Sequence, residues 1–354
     1  MPRQYRVEVF DNHYNAIGTS PIAEPLLTFD ALTLESVEIQ CARPIKGAKE
    51  MFLAQIVSDN GKIEYQGIIY GTEITKTGMK ITLNSLQSLF DVMYPATYKA
   101  LGYDLWIMGF INDMYAGNAL IPATYDGIQL DCNSDIPCDY EYDGLVNMYE
   151  VITSALSWNG LIVKLWFDAH SKTMTIQTRL ISTDVLTIEA ELDNVLSFTG
   201  YIGANGYNAN ATKVISINDG IMTEWGTFIL NDEGNVLESD KKYTGHLDPL
   251  LRSFTSIVGT DEDPPTNEAI TEAAVAALSH TGENKTIEIT CAVDDKTIRM
   301  DEKDIGRRTK VMYGGISLNT VLTGVSRDGY SKTLTFGFNR ITLTQILKMR
   351  GVKA

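Results

Sequence analysis

Two stretches of this chain, about 250 residues apart, follow the same order of strand, turn and helix-like tail. The first is GMKITLNSLQSLFDVM at 78–93, and the second is SKTLTFGFNRITLTQILKMRG at 331–351. A glycine lies inside the preceding strand in both copies, at Gly67 and Gly324, and another glycine follows in the turn. Because a glycine inside a strand marks a bulge or a close backbone approach, the repeated order predicts two similar β domains.

Apolar residues at i, i+3 and i+4, the spacing of one helix face, close each stretch. They are Leu86, Leu89 and Phe90 in the first copy and Leu343, Ile346 and Leu347 in the second. The alternative is chance, since strand–turn–strand–helix is a common order. If the copies are related, each subunit has two equivalent surfaces, and three chains could form a ring of six similar units.

Short alternating strands bounded by turn residues dominate both ends of the chain. Asn60-Gly61, between two such strands, predicts a hairpin with a type I′ turn. Asn159-Gly160 is typical of a left-handed helix C-cap, and a further hairpin is predicted at 161–180. The predicted fold class is mainly β with an α+β insertion. It comprises two similar small antiparallel β-barrels per chain plus helical and α+β accessory domains.

These patterns divide the chain into four segments, each with its own expected content. They are a first β-barrel at 1–95, an α+β middle domain at 96–194 (helices about 96–117 and 145–158, hairpin 161–180), a β segment with an acidic linker and a helix at 267–281 within 195–284, and strands completing a second β-barrel with a C-terminal helix at 285–354.

The charge balance argues against a protein that grips DNA. The formal net charge is −16, whereas DNA-binding surfaces are basic. An acidic wall could still line a channel through which DNA slides without binding. No apolar run approaches the length that spans a bilayer, and MPRQYRVEVF at the N-terminus lacks a signal-peptide core. We therefore expect folding in a cytoplasm.

Residue patterns for catalysis or metal binding are absent from the sequence. The four cysteines and four histidines are scattered, at Cys41, Cys132, Cys138 and Cys291 and at His13, His170, His246 and His280. None has a partner at motif spacing, and there is no HExxH pair, GxSxG elbow or Walker A sequence. We expect no catalytic residue, no cofactor, no metal site and no disulfide framework.

Two other patterns leave alternatives open. The Asp-rich stretch at 126–144 is either a solvated acidic loop or a Ca²⁺ site, although it lacks DxDxDG spacing. DEDPP at 261–265 is interpreted as a linker rather than an acid pair. The tryptophans could form a sugar-binding platform, but Trp166 on an alternating strand is more typical of a core or a subunit interface.

The order of these features resembles the baseplate hub proteins of tailed bacteriophages, including tail-associated hub domains of siphoviruses, prophages and phage-tail-like bacteriocins. The resemblance is carried by YRVEVFDN at 5–12, YQGIIYGTEITKTGMKITLNSLQSLFDVMYP at 65–95, ATKVISIND at 211–219, and DIGRRTKVMYGGISLNTVLTGVSRDGYSKTLTFGFNRITLTQIL at 304–347. It covers essentially the whole chain as an order of features rather than as an invariant motif.

This resemblance implies a homotrimer with two tube-type β-barrels per chain, forming a pseudo-hexameric ring that extends the tail tube. It implies binding to the distal tail protein, to the C-terminus of the tape-measure protein, and to tip, fibre or receptor-binding proteins. DNA would pass through the lumen without specific binding. The protein would lie in the virion, at the tail baseplate or tip, after assembly in the host bacterial cytoplasm.

Three other functions compete with the hub. The first is a tail-associated cell-wall hydrolase, although the chain ends soon after the last matched stretch, at Ala354, so lysin or peptidase activities are expected on other chains. The second is a receptor-binding or carbohydrate-binding baseplate protein. The third is the distal tail protein itself, which normally forms a six-fold ring, so the mass of the assembly in solution distinguishes it from a trimeric hub.

Overall fold

The alternating stretches at the start of the chain close into an antiparallel barrel in the computed structural model. The strands of this region are β1 (Tyr5–Phe10), β2 (Ala16–Ile22), β3 (Leu27–Asp30), β4 (Ser36–Cys41), β5 (Leu53–Ser58), β6 (Ile63–Thr75) and β7 (Gly78–Ser85). The barrel runs β1-β2-β4-β7-β6-β5 and leaves β3 out. Alternation places one side of each strand inside, so that Val7, Ile81 and Leu83 are fully buried.

The structure describes residues 4–76, 78–96, 102–116, 124–132, 138, 144–190, 193–203, 211–218, 220–230, 236–238, 252–260, 262–278 and 284–338. These residues divide into two units. The first comprises the described residues of 1–199 and 287–338, and the second comprises those of 200–286. The helix-like tail predicted after residue 338 lies outside the described residues.

An α+β region follows the first barrel. Its elements are a 3-10 helix (Leu86–Phe90), β8 (Met93–Pro95), α1 (Tyr103–Met114), β9 (Ile128–Cys132), β10 (Leu145–Asn147), α2 (Met148–Asn159), β11 (Leu161–Asp168) and β12 (Thr173–Leu180). Strand β8 pairs with β10, and a second sheet runs β11-β12-β9. Trp106, Phe110 and Met148 belong to a buried cluster that continues into Phe10 and Leu53 of the barrel, so the barrel and the α+β region share one core.

Helix α2 has the ends that its sequence predicts. The side chain of Asn147 accepts a hydrogen bond from the N–H of Tyr149, which satisfies one of the free donors of the first turn. Gly160 ends the helix in the left-handed conformation, with φ 66° and ψ 26°, so the predicted C-cap is confirmed. Helix α1 is shorter than predicted, and the helical spacing after β7 forms a 3-10 helix.

The turn at Asn60-Gly61 differs from the prediction. A type I′ turn needs positive φ at both central residues, yet Gly61 has φ 81° and Asn60 is not among the non-glycine residues with positive φ. The register between β5 and β6 also shifts, between Ile56 and Val57. The hairpin is therefore closed by a longer loop with its glycine alone in the left-handed region.

A second large sheet is built from strands distant in sequence. They are β13 (Ser182–Glu189), β14 (Val195–Gly203), β19 (Asn284–Ala292), β20 (Arg307–Tyr313), β21 (Ile316–Arg327) and β22 (Ser331–Phe336), with a 3-10 helix (Glu302–Asp304) before β20. The order is β13-β20-β21-β22-β19-β14, and β3 pairs with β21. Strands β3 and β13 fall in the predicted first and middle segments, but both join this sheet.

The second unit holds the remaining elements. They are β15 (Ala211–Asn218), β16 (Ile221–Leu230), β17 (Val236–Glu238), β18 (Arg252–Ser256) and α3 (Asn267–Leu278). The sheet runs β17-β16-β15-β18. Helix α3 packs Ile270, Ala274 and Leu278 against Val214 and Phe228 of the sheet. No helix in the described part of the chain is long and apolar enough to cross a membrane. The predicted mainly-β fold with a barrel is confirmed.

Candidate functional site

The two large sheets of the first unit follow one strand order. Starting from the first strand, the barrel runs β1-β5-β6-β7-β4-β2, and the second sheet runs β13-β20-β21-β22-β19-β14. When the six strands of each sheet are numbered by their order in the chain, they follow one another across the sheet as first, fourth, fifth, sixth, third and second. The copies also differ: β1 pairs with β5 antiparallel, whereas β13 pairs with β20 parallel. Among the described residues, the second sheet is open between β13 and β14.

A bulge lies at the same place in both sheets. The pairing of β6 with β7 shifts between Ile69 and Gly71, and the pairing of β21 with β22 shifts between Leu322 and Gly324. Each shift leaves one extra residue on the longer strand, followed by glycine, as in a β-bulge. The pairing therefore makes Gly71 the counterpart of Gly324. The sequence comparison matched Gly67 instead, because spacing along one strand does not show its cross-strand register.

The correspondence between the two sheets extends to the strands beside β7 and β22, which are β4 and β19. Cys41 pairs with Met79, and Cys291 pairs with Lys332, the corresponding residue of β22. Both thiols are fully buried, and burial raises the pKa of each to about 11. These cysteines therefore occupy equivalent interior positions of the two sheets and behave as small apolar side chains.

Strand β3 links the two sheets. It leaves the barrel between β2 and β4 and pairs antiparallel with β21, with Leu27 opposite Arg327 and Asp30 opposite Gly324. The hydroxyls of Thr28 and Ser326 lie 3.4 Å apart across this pair. The short segment that connects β2 and β4 of the barrel is thus a strand of the C-terminal sheet.

A buried ion pair lies at the same junction. The guanidinium of Arg327 donates to Glu64 Oε2 at 2.8 Å and to Glu302 Oε1 at 3.4 Å. Glu64 also accepts from Lys62 Nζ and from Ser58 Oγ, each at 3.0 Å. Burial disfavours the charged form of Glu64, but the hydrogen bonds from Arg327 and Lys62 outweigh burial and lower its pKa. The junction is held by a charged network and by strand pairing.

Two of the four histidines, His13 and His170, lie among the described residues, and each contacts an aspartate. His13 is exposed and contacts Asp126, whose hydrogen bond raises the pKa of His13. His170 lies in the turn between β11 and β12, where its N–H donates to Asp168. His246 and His280 lie outside the described residues. Among the residues that the structure describes, no three His, Cys, Asp or Glu side chains are placed to hold a metal ion.

The Asp-rich stretch and the tryptophans lie only partly within the residues that the structure describes. Most of the Asp-rich stretch beyond β9 lies outside the described residues. Trp106 is fully buried, and the indole of Trp225 donates to Ser216 Oγ at 3.0 Å. Trp166 is 39% exposed on β11, and the side chain of Trp158 is outside the described residues. The buried Trp106 cannot contribute to a sugar-binding surface.

Two features of the junction were missed by sequence reasoning. The pairing of β3 with β21 and the contact of Glu64 with Arg327 join residues more than 260 positions apart, and no local pattern reports such contacts. The equivalence of Cys41 and Cys291 did have a signal, since VEIQCA at 37–42 and IEITCA at 287–292 are nearly the same hexapeptide.

Neither a protein-family model nor a curated protein matches this chain. Solved structures match it over nearly its whole length. A chain of the phage P2 baseplate in its activated conformation superposes with a TM-score of 0.60 at 10% identity, covering 97% of this chain and 100% of that one. A tail protein from Neisseria meningitidis MC58 gives 0.55 at 14% identity, covering 94% and 96%. The 43 kDa tail protein of prophage MuSo2 from Shewanella oneidensis gives 0.51 at 11% identity, covering 94% and 98%.

At these identities the likeness concerns the fold. In this chain the fold comprises mainly β structure, a closed barrel at the N-terminal end and an α+β region before the last strands. The chain therefore has the fold of phage baseplate and tail proteins.

Proposed function

We propose that this protein is a structural hub subunit of the baseplate or tail tip of a phage or phage-like tail, and that it is not an enzyme. The observation that carries the proposal is the common strand order of the two large sheets, with a bulge and a glycine at the same place in each. The solved baseplate and tail proteins with this fold support the same assignment.

The duplicated sheet explains how such a subunit would assemble. Two similar sheets per chain allow three chains to form a pseudo-hexameric ring, which matches a six-fold tail tube. We propose that the ring extends the tube from the distal tail protein above to the tip, fibre or receptor-binding proteins below. In this arrangement the ring holds the C-terminus of the tape-measure protein.

Exposed apolar residues at one end of the barrel support a contact between subunits. Tyr70 and Ile74, in the part of β6 that pairs with β7, are 68% and 78% exposed. Exposed apolar residues that are grouped on one surface mark association sites, and both of these side chains belong to the same strand. We propose that the end of the β6–β7 hairpin contacts a neighbouring chain in the ring.

The net negative charge of the chain supports a role as a channel for DNA. With a net charge of −16, carboxylates facing a lumen would repel phosphate, so that DNA passes without a bound state. The proposed lumen charge is tested by the salt dependence of DNA retention on a column of the assembled protein. Retention at low salt that disappears at high salt would contradict it.

The mass of the purified chain in solution tests the hub assignment. We expect three times the chain mass of 39.2 kDa, with a ring visible by electron microscopy. Ile74→Glu should weaken the trimer, whereas Val258→Glu, at a residue that is 99% exposed in the second unit, is the matched control. A hexamer would identify a distal tail ring instead, and a monomer at micromolar concentration would refute the hub. Cleavage of cell walls in a zymogram would contradict the non-enzymatic role.

A further inference from the structure

A cavity of about 430 Å³ lies inside the first unit where five stretches of chain meet. Its walls come from 28–31 of β3 and the residue after it, from the start of β6 at 63–66, from 85–87 at the end of β7 and just after it, from β11 at 162–166 and from the segment 302–305. The volume is in the range of pockets that bind small ligands. Trp166 on its wall is 39% exposed, so an apolar aromatic surface is available beside the opening.

Several residues that line this cavity also carry a buried polar atom without a hydrogen-bond partner among the described residues. These atoms are Tyr65 Oη, Ser85 Oγ, Gln87 Oε1 and Glu302 Oε2. Buried polar atoms in folded proteins are nearly always paired. The amide and carboxylate oxygens can only accept, and the two hydroxyls can donate or accept. Because these atoms are almost completely buried, an occupant of the cavity is bound by the accessible groups of the wall instead.

The cavity is also bordered by the free edge of a sheet, because β11 is the outer strand of the β11-β12-β9 sheet. Along a strand, alternate residues direct their N–H and C=O to the same edge. At Phe167 both groups are bound by the side-chain amide of Gln66, at 3.1 and 2.6 Å, and the carbonyl of Val163 accepts from Gln87 Nε2 at 3.4 Å. Leu165 lies between Val163 and Phe167 on the same edge. No described residue forms a hydrogen bond to its backbone N–H or C=O on this side.

Two charged side chains of the walls, Glu64 and Lys164, already have hydrogen-bond partners. Arg327 binds Glu64 at 2.8 Å, and Lys164 Nζ donates to the carbonyl of Lys303 at 2.9 Å. Burial, followed by the nearby Arg179, lowers the pKa of Lys164 to about 8. An added cation would be repelled by this buried amine, and an added anion would face the buried carboxylates. The walls therefore favour an uncharged occupant.

We propose that this cavity binds a short, uncharged, extended peptide segment of a partner protein. Its central residue exchanges two backbone hydrogen bonds with Leu165, as in the addition of a strand to a sheet edge. An apolar side chain of the segment lies against Trp166, which lines the cavity. This site does not depend on the proposed hub function, since it requires only the folded first unit.

Binding of acetyl-Val-Gln-Val-amide to the full chain tests the proposal. The chain is labelled with ¹⁵N-leucine, and amide shifts are followed by NMR. We expect a saturable shift of the Leu165 amide, with no shift of Leu180, which is exposed at the far end of β12. The same peptide with an N-methyl group on glutamine should bind about tenfold more weakly, because one backbone hydrogen bond is lost.

Two variants of the chain complete the test. Trp166→Ala should weaken peptide binding several-fold, and Tyr330→Ala, at an aromatic residue of the same unit that is 79% exposed, should leave it unchanged. An unshifted Leu165 amide, or equal affinity for the parent and N-methylated peptides, would overturn the proposal. Shifts confined to leucines outside the cavity would overturn it as well.

Discussion

Replacing Arg327 by methionine should strongly destabilise the first unit, because it leaves a buried carboxylate without its main partner. The side chains of Arg327 and Glu64 are 10% and 2% exposed. Methionine keeps most of the apolar stem, so the lost contribution is chiefly the charge and its hydrogen bonds. Lys62 and Ser58 stay in contact with Glu64, each at 3.0 Å, and reduce the effect.

The magnitude follows from these contacts. Breaking a buried ion pair costs about 3–5 kcal/mol, and the two remaining partners of Glu64 bring the expected loss to about 2–3 kcal/mol. For a unit of this size, that corresponds to a fall of the melting temperature on the order of 4–12 °C. Because the chain has two units, the melting should be followed by a probe of the first unit alone, such as hydrogen exchange of its barrel amides.

The loss of folding stability in Arg327→Met should depend on pH in a defined direction. The pKa of Glu64 is lowered in the folded chain from its ordinary value of 4.5. A carboxyl group with a lowered folded pKa stabilises the protein above its unfolded pKa, and the contribution disappears as the pH falls through the folded value. The difference between wild type and Arg327→Met should therefore be complete at pH 7 and shrink below about pH 4.5.

Arg307→Met is the matched control. Arg307 forms an ion pair of 3.2 Å with Asp304, but the two side chains are 38% and 25% exposed. Surface pairs of this kind contribute about 0–1 kcal/mol, so this variant should melt within a few degrees of wild type. Equal shifts for the two variants, or a loss in Arg327→Met that is unchanged at pH 3, would refute the role assigned to the buried charge.

Three further predictions concern the matched parts of the two sheets and helix α2. Gly67→Ala should destabilise the barrel by about 1–3 kcal/mol in urea unfolding, because its Cβ would lie 2.5 Å from a backbone oxygen of β7. Gly71→Ala, with nothing within 4 Å of the new Cβ, should change stability by less than about 0.5 kcal/mol, and equal effects would contradict the bulge geometry. Cys41 and Cys291, with pKa values raised to about 11 by burial, should react with a disulfide reagent at pH 8 only after unfolding; labelling in the folded chain would contradict their burial. Asn147→Ala should cost about 1 kcal/mol by removing the N-cap of α2, and Asn147→Ser, which keeps a capping oxygen, should restore most of it.

The elements best predicted from the sequence are those set by local chemistry. The hairpin predicted at 161–180 was found as β11 and β12, because alternation and a polar turn specify it without help from the rest of the chain. Gly160 ends α2 as predicted for the same reason. The equivalence of β7 and β22 could also be inferred, since both strands retain the same alternation and position before a change to helical spacing.

The contacts between distant segments could not be inferred in the same way. Strand β3 has only four residues, too few to show a period, and its partner β21 lies near the other end of the chain. The bulge that makes Gly71 the counterpart of Gly324 depends on cross-strand register, which packing and not spacing decides. The cavity beside β11 combines residues from five separate stretches, none of which carries a recognisable motif.

The pairing of β3 with β21 has a consequence for synthesis. Thr28 leaves the ribosome long before Ser326, its contact 298 positions later. At about 5–20 residues per second, the interval is tens of seconds, during which the edge of β3 has no strand to pair with. The N-terminal barrel can close in that time, but the joint between the sheets forms only when nearly the whole polypeptide has emerged. A nascent chain stalled before residue 316 would thus expose an unpaired strand edge of the kind that chaperones bind and aggregates recruit.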